Sequence, residues 1–97
     1  MDSKQHLLDQ VNGTVEEIEN AVNVWEWLDE QLSIECIMRS TSGDFLGAEI
    51  LTCCGGPTVR VDTRWGTVTG HWGGDSFERS VNCDALNEAI EELYTTF

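Results

Sequence analysis

GGPTVRVDTRWGTVTGHW, residues 55 to 72, decides the fold. Val59 and Val61 alternate with Arg60 and Asp62, the period of two that marks a half-buried strand. After Trp65-Gly66 the alternation resumes, with Val68, Gly70 and Trp72 on one side and Thr67, Thr69 and His71 on the other. A hairpin closed at Trp65-Gly66 sets Val59 opposite Trp72, Val61 opposite Gly70 and Thr63 opposite Val68. Apolar then faces apolar, which is how a buried face fixes register. Gly55-Gly56-Pro57 opens this hairpin as a turn, and the missing donor of Pro57 is tolerated at the first position of a strand.

The neighbouring segments fall into the same register. Phe45 to Cys53 turns into the hairpin at Gly55-Gly56, which sets Ile50 opposite Val61 and Ala48 opposite Thr63. Ile34 to Ser40 joins through the glycine-bearing loop Thr41-Ser42-Gly43 and pairs Ile34 with Ile50, Cys36 with Ala48 and Met38 with Leu46. One face therefore collects Ile34, Cys36, Met38, Leu46, Ala48, Ile50, Val59, Val61, Val68 and Trp72, and Cys36 is expected there as a small buried hydrophobe. Gly73-Gly74-Asp75 is a further turn, and Ser76 to Val81 a fifth, edge strand. The other face carries Glu35, Ile37, Arg39, Phe45, Glu49, Leu51, Arg60, Asp62, Arg64, Thr67, Thr69 and His71. Such a mixture is either a solvated face with weak ion pairs or a docking or dimer surface.

Two helices flank the sheet. Leu8, Val11, Val15, Ile18, Val22, Trp25 and Leu32 recur at three-four spacing, an apolar stripe that predicts one long helix over residues 3–32. Gly13, with Thr14 followed by Glu17 in the form of a capping box, offers a break into two helices near residue 13, but the stripe runs through unbroken and favours one long helix, bent there if anywhere. Val24 and Trp27 fall off the stripe, which leaves Trp27 exposed, as surface or as an interface anchor. Asn82 reads as a cap and Asp84 as a first-turn acid for a helix over residues 83–96, with Leu86, Ala89, Ile90, Leu93, Tyr94 and Phe97 on its apolar side. The expected architecture is a single α+β domain over residues 1–97. An antiparallel meander of four to five strands, near 33–40, 45–53, 58–64, 67–72 and 76–81, carries the long N-terminal helix and the C-terminal helix on one face.

The chain has 97 residues, enough for one modest core, and a net charge of −13. The charge is uneven. Residues 2–32 hold eight acids against Lys4, residues 83–97 hold four acids and no base, and residues 33–82 hold six acids against four arginines. Acidic flanks give solubility; they also suit a basic partner, such as a site that otherwise holds nucleic acid. Direct nucleic-acid binding wants a basic patch, which is missing. No apolar run approaches the roughly 18 residues of a membrane span, and MDSKQHLL lacks the features of a signal peptide, so a cytoplasmic protein is expected.

Four cysteines in such a chain suggest free thiols or ligands rather than disulfides. Cys53, Cys54, His71, Asp75 and Cys83 are of types that suit zinc, and the first four gather at one end of the expected sheet, though no C-x-x-C is present. Nucleophilic catalysis would need a cysteine beside a histidine. The expected register puts Cys53 and His71 on the open face about 11 Å apart, too far for that. No enzyme activity is expected.

Gly55-Gly56-Pro57, Val61-Asp62-Thr63 and Gly66-x-Val68-x-Gly70-x-Trp72-Gly73-Gly74-Asp75 together resemble short proteins of phages and mobile elements of gut bacteria, over about a quarter of the chain. In size and acidity the chain resembles anti-CRISPR proteins and other small phage-encoded inhibitors. That resemblance implies a non-enzymatic inhibitor that binds a nucleic-acid-handling effector, a CRISPR nuclease above all, often at a basic site meant for DNA. The residues expected to carry such binding are Glu16, Glu19, Glu26, Trp27, Asp29 and Glu30 of the first helix and Glu88, Glu91 and Glu92 of the last. The alternative is a small structural zinc-binding or homodimeric accessory domain of a mobile element.

Overall fold

A computed structural model of the chain describes residues 3–54 and 57–96. Its elements are α1 (Ser3–Glu19), α2 (Val24–Asp29), β1 (Ser33–Met38), β2 (Phe45–Cys53), β3 (Thr58–Asp62), β4 (Thr67–Trp72), β5 (Asp75–Ser80) and α3 (Asp84–Thr96). The five strands form one antiparallel sheet in the order β1-β2-β3-β4-β5. On one face α1 lies across β4 and β5, and α3 lies over β2. This is the expected two-layer α+β meander. The turn at Gly55-Gly56 and the side chain of Phe97 lie outside the described residues.

The core follows the alternation. Ala48, Ile50, Val59, Val61 and Val68 are buried from the sheet, Leu7, Val11, Val15 and Ile18 from α1, and Leu86, Ala89 and Ile90 from α3. Gly70 has no side chain to contribute, and that is its role. A Cβ there would stand 2.6 Å from a methyl of Val11 and 2.8 Å from one of Leu7, so the bare backbone lets α1 settle onto the sheet.

The long helix ends earlier than expected. Rather than running over 3–32, it stops at Glu19, and Asn23 restarts the chain as α2, its side chain accepting from the backbone N–H of Trp25 at 3.0 Å and of Glu26 at 3.4 Å. That is an N-cap in the ordinary sense. The restart resets the helical phase. Trp27 and Leu28 turn inward, while Val22, Trp25 and Leu32 are exposed. α1 runs on through residue 13 without a break. Thr14 is buried mid-helix and its hydroxyl donates back to the carbonyl of Gln10 at 2.9 Å, so it is not a cap. Within α1 the innermost leucine is Leu7 rather than Leu8.

Register agrees with expectation across β1 and β2 as far as Ile34–Ile50 and Cys36–Ala48, and across β2 and β3 at Ile50–Val61. Two departures matter. The β3–β4 turn spans Thr63 to Gly66, closed by the Gly66 N–H donating to the Asp62 carbonyl at 2.9 Å. Gly66 holds a positive φ of 64°, the conformation glycine adopts most readily. The hairpin therefore pairs Val59 with Gly70 and Val61 with Val68, a shift of two that keeps every side chain on its face. Second, a bulge sets Met38 opposite Phe45. Phe45 thereby packs on the core and Leu46 is displaced to the surface, the reverse of the expected arrangement.

Cys36 is exposed and Met38 is 49% exposed, although both lie on the helix-bearing side of the sheet. The helices reach β2, β4 and β5 and leave the rim strand β1 thinly covered. Cys36 is therefore not a core residue.

Thr63 links the two layers. Its N–H donates to the Ala48 carbonyl at 2.9 Å, its hydroxyl oxygen accepts from the Ala48 N–H at 2.8 Å, and the hydroxyl donates to Oδ1 of Asn87 on α3 at 2.9 Å. Thr63→Val keeps the shape and strands a buried N–H. It is expected to cost about 1–3 kcal/mol, seen as a lower urea midpoint with an unchanged slope. An unchanged midpoint would show that the hydroxyl is dispensable.

Candidate functional site: an acidic elbow between the helices

The four-residue break between α1 and α2 makes an elbow, and acids flank it in the chain on both sides. Glu16 and Glu19 end α1, Glu26 and Asp29 sit on α2, and Glu30 caps it; all are exposed. Among the described residues Glu16, Glu19, Glu26, Asp29, Glu30, Glu88 and Glu91 make no ion pair. Residues 16–32 contain no lysine or arginine.

Three of the four arginines are occupied elsewhere. Arg60 pairs with Glu49 at 3.0 Å, Arg64 with Asp62 at 3.0 Å, and Arg79 donates to Asn12 Oδ1 at 2.8 Å. The hydrogen bonds that the Arg64 guanidinium donates to the Asp62 carboxylate hold it above its ordinary pKa. None of these cations neutralises the elbow.

The folded chain joins some of the expected acids and separates others. Glu19 and Glu88 line one groove with Asp84, beside Ile18 and Val24. Glu26 and Glu30 line a second with Glu17 and Val22. A third groove, about 340 Å³, is lined by Asp9, Glu17, Glu30 and Cys53 among others. Glu16, Asp29, Glu91 and Glu92 line none of these three grooves, although Glu91 and Glu92 are exposed on α3.

Trp27 does not serve as an exposed anchor. It is 7% exposed and its indole N–H donates to Glu17 Oε2 at 3.4 Å, tying α2 to α1. Val22, fully exposed, and Trp25, 42% exposed, stand at the elbow instead. Sequence periodicity misses them because it continues the stripe of α1 through the break. Asn23 followed three residues on by Glu26 is the signal that could have found the restart.

The expected metal ligands do not converge. Cys53 shares a register row with Val59 and Gly70 and packs against the core. His71 is on the opposite face, in a shallow surface with Arg60, Asp62 and Thr69. Cys53 donates its thiol hydrogen to the Pro57 carbonyl at 2.8 Å, and burial, with Cys54 adding, pushes its pKa up. Among the described residues no three His, Cys, Asp or Glu side chains are grouped to hold a metal. The same opposition of faces corrects the expectation that Cys53 and His71 share the open side. Cys83 is buried at the start of α3, and burial, with the Asp62 and Asp84 charges, pushes its thiol up to about 11, far from a reactive thiolate. His6 stacks edge-on against Trp72, ring centroids 5.0 Å apart.

Among the described residues no helix is long and apolar enough to cross a membrane. No protein-family model, curated protein or solved structure matches the chain.

Proposed function

We propose that this chain is a non-enzymatic inhibitor of the anti-CRISPR type, acting in the bacterial cytoplasm on a nucleic-acid-handling effector, a CRISPR nuclease in the first instance. Its acidic helices occupy a basic face that DNA would otherwise use. The observation that carries this reading is the elbow, where carboxylates without ion pairs flank two exposed apolar residues, Val22 and Trp25, and the segment holds no lysine or arginine. Carboxylates steer the approach and select a basic partner; a desolvated aromatic supplies a contact that salt does not screen.

The test is affinity capture from a CRISPR-bearing bacterial lysate at low and high salt, repeated with Glu16, Glu19, Glu26, Asp29 and Glu30 all changed to Lys. Recovery of a nucleic-acid-binding protein is expected, loosened by salt because salt screens exposed charges, and weakened about a hundredfold or more in the charge-reversed chain because close interfacial charge pairs become repulsive. If the reversed chain binds with the same affinity and the same salt dependence, the acidic elbow is not the docking surface.

A further inference from the structure

The two rims of the sheet differ. At one rim β5 carries Asp75, Glu78 and Arg79 among six residues, the charged make-up by which edge strands resist pairing. At the other, β1 reads Ser-Ile-Glu-Cys-Ile-Met, with a single charge and no proline. Its free side can be located from the hydrogen bonds. The N–H and C=O of Ala48 are both directed at Thr63, toward β3. Cys36, opposite Ala48, is therefore in a non-hydrogen-bonded pair, and its own N–H and C=O point outward, as do those of Ile34. Arg39 donates its N–H inward, to the Asp44 carbonyl at 2.9 Å, so the alternation persists to that residue. Among the described residues Glu35 and Arg39, both exposed, have no side-chain hydrogen bond or ion pair.

We propose that two copies of this chain join edge to edge, β1 antiparallel to β1 about a two-fold axis at Ile37, so that one sheet continues through a homodimer. In that register Ile37 meets Ile37 of the second copy, Cys36 meets Met38, and Glu35 meets Arg39, each of the last two twice by symmetry. Apolar faces apolar on both sides of the sheet, and two ion pairs flank the axis. An axis at Cys36 would set Glu35 against Ile37, and one at Glu35 would oppose two carboxylates. The occupant is a second copy because the strand is complementary to itself in charge as well as in hydrophobicity. The pairing is independent of the acidic elbow and responds oppositely to salt. Each chain carries −13, so salt relieves repulsion between copies and tightens the dimer. Pairing one short strand lies at the small end of specific interfaces, which makes the association weak and reversible.

Sedimentation velocity of the full chain under reducing conditions, over a range of concentrations at low and high salt, tests this. A monomer–dimer equilibrium that tightens with salt is expected. Cys36→Pro removes only an outward N–H and is expected to be monomeric with the parent's circular dichroism. Glu35→Arg is expected to weaken the dimer about tenfold or more, and adding Arg39→Glu to restore it. A chain that is monomeric throughout, or a dimer indifferent to Glu35→Arg, overturns the proposal whether or not the proline variant folds. A double reversal that fails to restore pairing overturns the axis at Ile37.

Discussion

Gly70→Val is expected to cost about 3 kcal/mol or more, close to unfolding a domain of this size. The single Cβ of alanine at this position already stands 2.6 Å from Val11 and 2.8 Å from Leu7. The leucine methyl is the far end of a flexible chain and can yield; the valine is stiff at χ1 and is itself fully buried. Overpacking of this kind costs about 1–3 kcal/mol for a small insertion, and more when the backbone must move. Gly70→Ala is therefore expected at about 1–3 kcal/mol, and the two further methyls of valine would have to lift α1 off β4. Gly13 offers the contrast. Nothing lies within 4 Å of a Cβ built there, and it sits inside α1, so Gly13→Ala is expected to stabilise by about 0.5–1 kcal/mol. Paired thermal melts read both, at about 4–8 °C per kcal/mol for a domain this small. A Gly70→Ala chain as stable as the parent would mean that α1 does not press on the sheet there.

The second large effect separates two tryptophans two residues apart. Trp27→Ala is expected to cost about 3–5 kcal/mol, the usual range for emptying a buried aromatic site, because Trp27 packs in the core and ties α2 to Glu17. Trp25→Ala is expected to cost less, about 0.5–2 kcal/mol, since the residue is 42% exposed. On the docking proposed above it weakens partner binding by about tenfold or more, as loss of an aromatic anchor does. Urea titration of both variants gives the first comparison, and capture of the partner by the Trp25 variant gives the second. Were Trp25→Ala the more destabilising, α2 would be rotated from the phase that Asn23 sets.

These tryptophans also show what the sequence could reveal. The strands were legible because period-two alternation is decisive where one face is buried. β2 and β4 begin and end where the alternation does, and Ile34–Ile50–Val61 align as read. The turn between β3 and β4 was not legible, since sliding a hairpin by two residues preserves its faces; what selects the longer loop is Thr63, which leaves the ladder to bond Ala48 and Asn87. Periodicity also assigns a face without saying whether anything covers it, which is why Cys36 reads as core and is exposed. Phe45 and Leu46 exchange places because a bulge inserts a residue that no alternation announces. Of the site, the acids were readable individually as outward positions. Their arrangement around an elbow was not, because a stripe of leucines and valines runs past Asn20 and Asn23 as though the helix continued.

The meander order has a consequence for a chain made from its N-terminus. Each strand pairs with the next one synthesised, so the sheet can close hairpin by hairpin with short loops. α1 is the exception. Its seat is β4 and β5, and the Arg79–Asn12 hydrogen bond spans 67 residues. A helix that precedes the whole sheet in the chain is thus among the last of these elements to find its place. Until β4 and β5 emerge, Leu7, Val11, Val15 and Ile18 lack the sheet that covers them. The carboxylates on the outer side of that helix then keep nascent chains apart, a service the same charges perform before the protein has any partner to meet.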